Sequence, residues 1–130
     1  MYVLDTDIII LFLKQNRAVI ELLSTIQNED LAISVLSLGE IKDGLSRRSK
    51  EKEVEFAQFL HSVTVLPITA EIATEFGLLR HRLRQKNQLI GDIDTLISAT
   101  CLIHQATLVT GNKKHYERVS LLRLISPQSI

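Results

Sequence analysis

Near its N-terminus the chain runs Tyr2-Val3-Leu4-Asp5-Thr6-Asp7, a short apolar, β-prone segment that stops on an acid. A run this apolar reads as a buried strand, and its end carries a carboxylate into low dielectric. A buried, unpaired carboxylate costs several kcal/mol unless a cation or a hydrogen-bond donor meets it. The fold must therefore place this strand end where other groups converge on Asp5.

The rest of the chain repeats a strand-then-helix rhythm. Residues 2–5, 31–34, 63–66 and 107–110 read as strands, and Leu122-Arg123-Leu124 as a last edge strand. Asp5 or Thr6 caps a helix starting near Asp7. This helix is apolar on all sides from Ile8 to Leu13 and so expects cover on more than one face. A second helix fits 17–27, with Val19, Ile20, Leu22, Leu23 and Ile26 at helical spacing. Ser37-Leu38-Gly39-Glu40 has the form of a capping box opening a helix to about Ser46. A charged segment from Arg47 leads into a helix ending near His61. Thr69 caps a long helix to about Lys86, and Asp92 caps another to about His104. Gly111-Asn112 is a turn into a short helical piece. Strands alternating with helices predict an α/β fold, a three-layer α/β/α sandwich on a mainly parallel sheet. In such sheets ligands bind at the carboxyl ends of the strands.

The 130 residues, with no repeat or low-complexity tract, predict a single domain over 1–130. Fifteen basic residues balance fifteen acidic ones, so bulk charge announces no nucleic-acid partner. The lone Cys101 excludes an internal disulfide and fits a reducing compartment. No basic leader precedes the first strand, and the Ile8–Leu13 run is too short to span a bilayer. The expectation is a cytoplasmic protein with no membrane association.

Asp5 and Thr110 fall at strand carboxyl ends, while Glu40 and Asp94 fall in the first turns of helices on the same predicted edge. Carboxylates gathered in one crevice repel and raise each other's pKa unless a divalent cation neutralises them. With oxygen donors and no paired Cys or His, that cation is hard: Mg²⁺, with Mn²⁺ as a substitute. Each acid also has a structural explanation. Glu40 completes the capping box, Asp92 serves as an N-cap, and Asp94 favours its helix through the macrodipole, worth about 0.3–1 kcal/mol.

Four blocks carry a family resemblance. They are Val3-Leu-Asp-Thr-Asp7, Ser34-Val-Leu-Ser-Leu-Gly-Glu-Ile41, Ile90-Gly-Asp-Ile-Asp-Thr-Leu-Ile-Ser-Ala-Thr100 and Leu108-Val-Thr-Gly-Asn-Lys-Lys-His-Tyr-Glu-Arg-Val119. In this order and over nearly the whole chain they resemble the PIN-domain nucleases, in the branch of the VapC toxins of type II toxin–antitoxin systems. The resemblance implies a metal-dependent endoribonuclease, with tRNA among its substrates, and a VapB-like antitoxin as partner of a homodimer. Asp5, Glu40 and Asp94 match the family's core acids as catalytic residues and metal ligands, with Asp92 as a further metal ligand. Asn112 stands where many relatives carry a fourth Asp, which weakens the case for a second cation. Asp7 stands where relatives often have Asn, so it reads as a helix-start residue as much as a ligand.

Thr6, Thr110 and Asn112 are candidates to contact the carboxylates or a scissile phosphate, and Ser98 to pack behind Asp94. For RNA, the basic candidates are Lys113, Lys114, Arg80 and Arg84, with further clusters at Arg47-Arg48-Lys50-Lys52 and at Arg118. The helix at 8–13 and the long helix at 69–86 are candidates for the antitoxin or dimer interface. The alternative function is a catalytically weak PIN-like module that binds RNA or protein. A phospho-receiver domain would need an acceptor Asp ending a central strand, where this chain has Pro67.

Overall fold

The computed structural model describes residues 1–45 and 49–128. The Arg47-Arg48 part of one basic cluster and the predicted helix end at Ser46 lie outside them. Among the described residues, five strands form one sheet: β1 (Tyr2–Leu4), β2 (Leu31–Ser34), β3 (Thr64–Leu66), β4 (Thr107–Val109) and β5 (Arg123–Ile125). Their order is β3-β2-β1-β4-β5, and every pairing is parallel. Helices fill the connections: α1 (Thr6–Leu13), α2 (Arg17–Thr25), α3 (Val35–Leu45), α4 (Lys50–Leu60), α5 (Ala70–Gln85), α6 (Asp92–His104) and α7 (Lys113–Tyr116). None of them is long and apolar enough to cross a membrane.

The two-residue period of the strands sorts their side chains into two cores. Leu4, Ile33 and Val109 point to one face, where they meet Ile8, Val19, Leu23, Ile41 and Phe56 of the first four helices. Their neighbours Val3, Ala32 and Leu108 point to the other, against Ile97 and Cys101 of α6 and Tyr116 of α7. Burial on both faces is what a parallel sheet requires, and it makes the three-layer sandwich that the alternation predicts. On the second face α5 packs along α6 through Leu79, Leu83 and Ile90, with Val119.

Two local expectations are corrected. The capping box does not form. α3 starts directly after β2, where the Leu36 N–H donates to Ser34 Oγ at 3.1 Å, so Ser37 is a buried residue within the helix. Glu40 is thereby released from any capping duty. Asp92 does not cap α6; it is the first helical residue, after Gly91 as N-cap. The helix α1 is covered unevenly: Ile8 and Ile9 are fully buried, but Ile10 keeps 38% of its surface exposed. Boundaries elsewhere move by a few residues, with α2 ending at Thr25 and the last strand starting at Arg123.

Four non-glycine residues, Gln15, Asn87, Gln105 and Leu121, adopt a left-handed backbone, and the last is both apolar and exposed. Leu121, between α7 and β5, has φ 69° with its side chain 93% exposed. A left-handed conformation costs a Cβ-bearing residue about 1 kcal/mol, with no burial here to offset it. Leu121→Gly is expected to raise the unfolding free energy by up to about 1 kcal/mol in a urea titration. Ile97→Ala, at a fully buried position, is expected to lower it by about 2–5 kcal/mol. A loss of stability in Leu121→Gly, or none in Ile97→Ala, would contradict these assignments.

Candidate active site

The central strand β1 is the switch point of the sheet: β2 and β3 extend to one side of it, β4 and β5 to the other. Connections leave in opposite directions there, opening a crevice beyond the carboxyl ends of β1 and β4. Asp5 sits at that point. It ends β1 and is the N-cap of α1, its Oδ1 accepting from the Thr6 N–H at 2.9 Å. Its Oδ2 accepts from the Thr110 hydroxyl at the end of β4, at 2.8 Å. Only 7% of the residue is exposed. Burial first, then the charge of Asp7, raises its pKa from 3.8 to about 6, against the lowering effect of those two hydrogen bonds.

Asp7, in the first turn of α1, faces the same crevice. Its Oδ2 accepts from the Gly111 N–H at 3.1 Å, while its Oδ1 is buried without a partner. Burial raises its pKa too, and the charge of Asp94 adds to the effect. Asp94 enters from the first turn of α6. Its Oδ1 accepts from the Tyr116 hydroxyl at 3.0 Å, and its Oδ2 lies 3.7 Å from His115 Nδ1. The Tyr116 hydroxyl also interacts with Asp5, and burial drives its pKa far upward, so it remains a neutral donor.

Glu40 joins through Thr6. The Thr6 Oγ1 is 2.7 Å from Glu40 Oε1 and 2.8 Å from Ser37 Oγ. A carboxylate only accepts and a hydroxyl has one proton, so Thr6 donates to Glu40 and Ser37 donates to Thr6. Glu40 itself is exposed at the mouth of the crevice. Thr6 and Thr110 are thus committed to carboxylates rather than free for a phosphate. Thr110 Oγ1 also accepts from the Asn112 N–H at 3.0 Å.

The structure brings Asp94 within electrostatic reach of Asp5 and links Glu40 to them only through Thr6, and two further residues stand beside them. Asp7, ranked below Asp5 in the sequence, belongs to the cluster because Gly111 reaches it from the far end of the chain. Tyr116 had no assigned role, and no local pattern marks it. Asp92 goes elsewhere: two-thirds exposed, it pairs with Arg80 Nε at 3.0 Å. That contact also occupies Arg80, leaving Arg84, Lys113 and Lys114 exposed. The Asn112 side-chain amide is 3.0 Å from His115 Nδ1. Ser98 is buried and donates to the Asp94 backbone carbonyl at 2.9 Å, inside its own helix.

Among the described residues, no three His, Cys, Asp or Glu side chains are set as a ready-made cage for a metal ion. The donor set nonetheless fits a hard cation. All of its acids offer oxygen, neutral hydroxyls and N–H groups are what hold them, and Asp7 Oδ1 lacks any partner.

A family model described as PIN domain matches residues 2–121. Ribonuclease VapC2 of Rickettsia felis is 34% identical, the match covering 95% of this chain and 96% of that one. Ribonuclease VapC2 of Haemophilus influenzae is 31% identical over 94% of each chain. Among solved structures, VapBC2 from Rickettsia felis bound to a promoter DNA fragment superposes with a TM-score of 0.90, at 28% identity and 98% coverage of both chains. VapBC-1 from nontypeable Haemophilus influenzae does so with 0.84, at 25% identity and 96% coverage of both. With a matching family model over nearly its whole length and relatives of this similarity, the chain belongs to the PIN-domain family, in its VapC branch.

Proposed function

We propose that this chain is the toxin of a VapBC-type pair, an endoribonuclease that hydrolyses RNA phosphodiesters with Mg²⁺. The observation that carries the reading is the crowding of Asp5, Asp7 and Asp94 beside Glu40 at one strand edge. There burial raises two of the carboxylates and one oxygen goes unpartnered. A cluster built this way is stabilised by a cation. Asp5, Asp94 and Glu40 would hold it, with Asp7 Oδ1 as a further donor; Asp92, tied to Arg80, is set aside. When bound, the cation lowers the pKa of water and neutralises charge on the phosphate.

The side chains divide the remaining work. Thr110 and the Thr6 N–H fix both oxygens of Asp5, so this carboxylate enters the reaction already oriented. Glu40, the most exposed of the acids and held by Thr6, is placed to take the proton of an attacking water. Lys113 and Lys114 follow the Thr110–Asn112 edge and attract the RNA backbone, with Arg84 farther out. Hydrolysis by water leaves a 5′-phosphate and a 3′-hydroxyl. The narrower substrate proposed is tRNA.

A VapB-like antitoxin and a second copy of the chain are the proposed partners. Relatives solved as VapBC assemblies support the first. So does an apolar groove beside Glu40, lined by Ile10, Leu13, Ile41 and Leu45 with Lys14 and Lys52 at its rim. It is the side of α1 left uncovered.

Purified protein incubated with total RNA and Mg²⁺ is expected to cut, and to stop with EDTA. Asp5→Asn and Asp94→Asn should each lower the rate on the order of 100-fold or more. Cleavage surviving both substitutions, or 2′,3′-cyclic phosphate ends, would overturn the mechanism. RNA binding without cleavage would favour a binding-only module.

Stability gives a separate check. With its pKa moved from 3.8 to about 6 on folding, Asp5 holds a proton in the native state that the unfolded chain has lost between those values. The charged form therefore destabilises the fold above about pH 6, and the penalty fades as the pH falls toward 4. In EDTA at pH 7.5, Asp5→Asn should melt about 3–8 °C above wild type. The gap should narrow as the pH is lowered to 5. A gap that widens on acidification would contradict the buried-charge account.

A further inference from the structure

A groove of about 500 Å³ is lined by α5, the end of α6 and the segment that follows α7. Its volume lies in the range of small-ligand pockets, about 300–1,000 Å³. The buried Leu79 and Leu83 of α5 and the half-buried Leu102 and Ile103 of α6 give it an apolar floor. Leu121 adds an exposed apolar surface at its edge. Three cations line it with a single acid, Glu75, which Arg82 already engages at 3.1 Å. The other two, Lys86 and Arg118, are exposed and have no ion pair among the described residues.

The basic end of this groove adjoins the crevice. Arg118 comes two residues after Tyr116, the end of the helix that carries Lys113 and Lys114. Its Nη1 donates to the Leu89 carbonyl at 3.2 Å, in the loop that leads into α6 and Asp94. Arg80 pairs with Asp92, so the carboxyl half of α5 also lies beside the start of α6. A polyanion that reaches the acid cluster past Lys113 and Lys114 therefore meets Arg118 and Lys86 next. Cations attract its phosphates, and an apolar floor beside them accepts the face of a base. No aromatic side chain lines the groove, so a base would be held there with little sequence preference.

We propose that this groove is a second RNA subsite, seating a nucleotide of the substrate strand outside the crevice. Lys86 and Arg118 take its phosphate, and Leu79, Leu83 and Leu121 take its base. The proposal rests on the reading of the chain as a ribonuclease and adds the surface over which the strand leaves the acids.

The test is the fluorescence anisotropy of a labelled single-stranded RNA of mixed sequence, bound to the full chain in EDTA across a salt series. Wild type is compared with Lys86→Ala, Arg118→Ala, Ser120→Glu and Leu121→Gly, with thermal unfolding as the control for folding. Arg17→Ala, an exposed cation of α2 on the opposite face of the sheet, controls for loss of charge alone. At low salt Lys86→Ala and Arg118→Ala should each weaken binding about 5-fold, and lower the slope of log affinity against log salt by about 0.7. Ser120→Glu should weaken binding too, through a charge placed on the exposed wall of the groove. Leu121→Gly should weaken it with the slope unchanged, the mark of a base held by apolar contact. Unchanged affinity in Lys86→Ala and Ser120→Glu, or losses no larger than that of Arg17→Ala, would overturn the subsite and leave the ribonuclease reading standing. Variants that keep their RNA affinity but lose binding to a peptide of Glu and Leu would also overturn it, giving the groove to a protein partner. A wild type that cuts RNA in Mg²⁺ but does not bind it in EDTA would overturn the subsite alone, since its contacts need no cation. A wild type that neither binds nor cuts RNA would remove the ribonuclease reading, and this proposal with it.

Discussion

The hydrogen bond from Thr110 to Asp5 joins the ends of β1 and β4 inside the protein, and the architecture of the carboxyl edge follows from the charge it holds. Asp5 closes a strand, caps a helix and remains a carboxylate in a dry place. A strand end could stop on any polar residue, and a cap could be a serine. Keeping an acid there is costly in the absence of a counter-charge, and the neighbours increase the cost rather than relieve it. Asp7 and Asp94 both raise the pKa of Asp5. Such an arrangement is poor for stability and useful for binding positive charge, the trade that functional sites make.

The protein's own response to that cost is neutral. The donors closest to the acids are hydroxyls and backbone N–H groups: Thr6, Thr110, Tyr116 and the amide of Gly111. Two helix N-termini add to this, since Asp5 caps α1 and Asp94 lies in the first turn of α6, where the helix dipole favours negative charge. Neutral donors orient carboxylates without discharging them. Lys113 and Lys114, the nearest lysines in sequence, stand on the exposed surface of α7. Charge is thus separated by depth, acids inside and bases at the rim.

Much of this was legible in the sequence because much of it is local. The two-residue period of the strands, the apolar spacing of α2 and the Thr69 cap of α5 act within one or two turns, and they read correctly. Asp5 was legible because an acid at the end of an apolar strand is a conflict visible in six residues. The misreadings have one physical source. Ser37 and Asp92 fit cap patterns, but Ser34 lay closer to the strand end, and Arg80 offered Asp92 a partner on another helix. The contact of Asp7 with the Gly111 amide left no local sign, since the two are 104 positions apart. Tyr116 carried no local sign of its contact with Asp94. Propensity is readable from neighbours, whereas a tertiary contact of this kind needs the folded topology.

That topology has a consequence for the order in which the molecule is made. The central strand contains only three residues and draws its two neighbours from widely separated parts of the chain, Leu31 onward and Thr107 onward. A polypeptide leaving the ribosome presents Asp5 105 residues before Thr110. One edge of β1 stays open until β4 emerges, and no earlier intermediate can seat Thr110 on Asp5. The crevice is therefore completed only once Thr110 has emerged. A copy terminated before β4 would hold its acids with nothing to align them, so the long-range closure of the sheet makes the site conditional on the arrival of that strand.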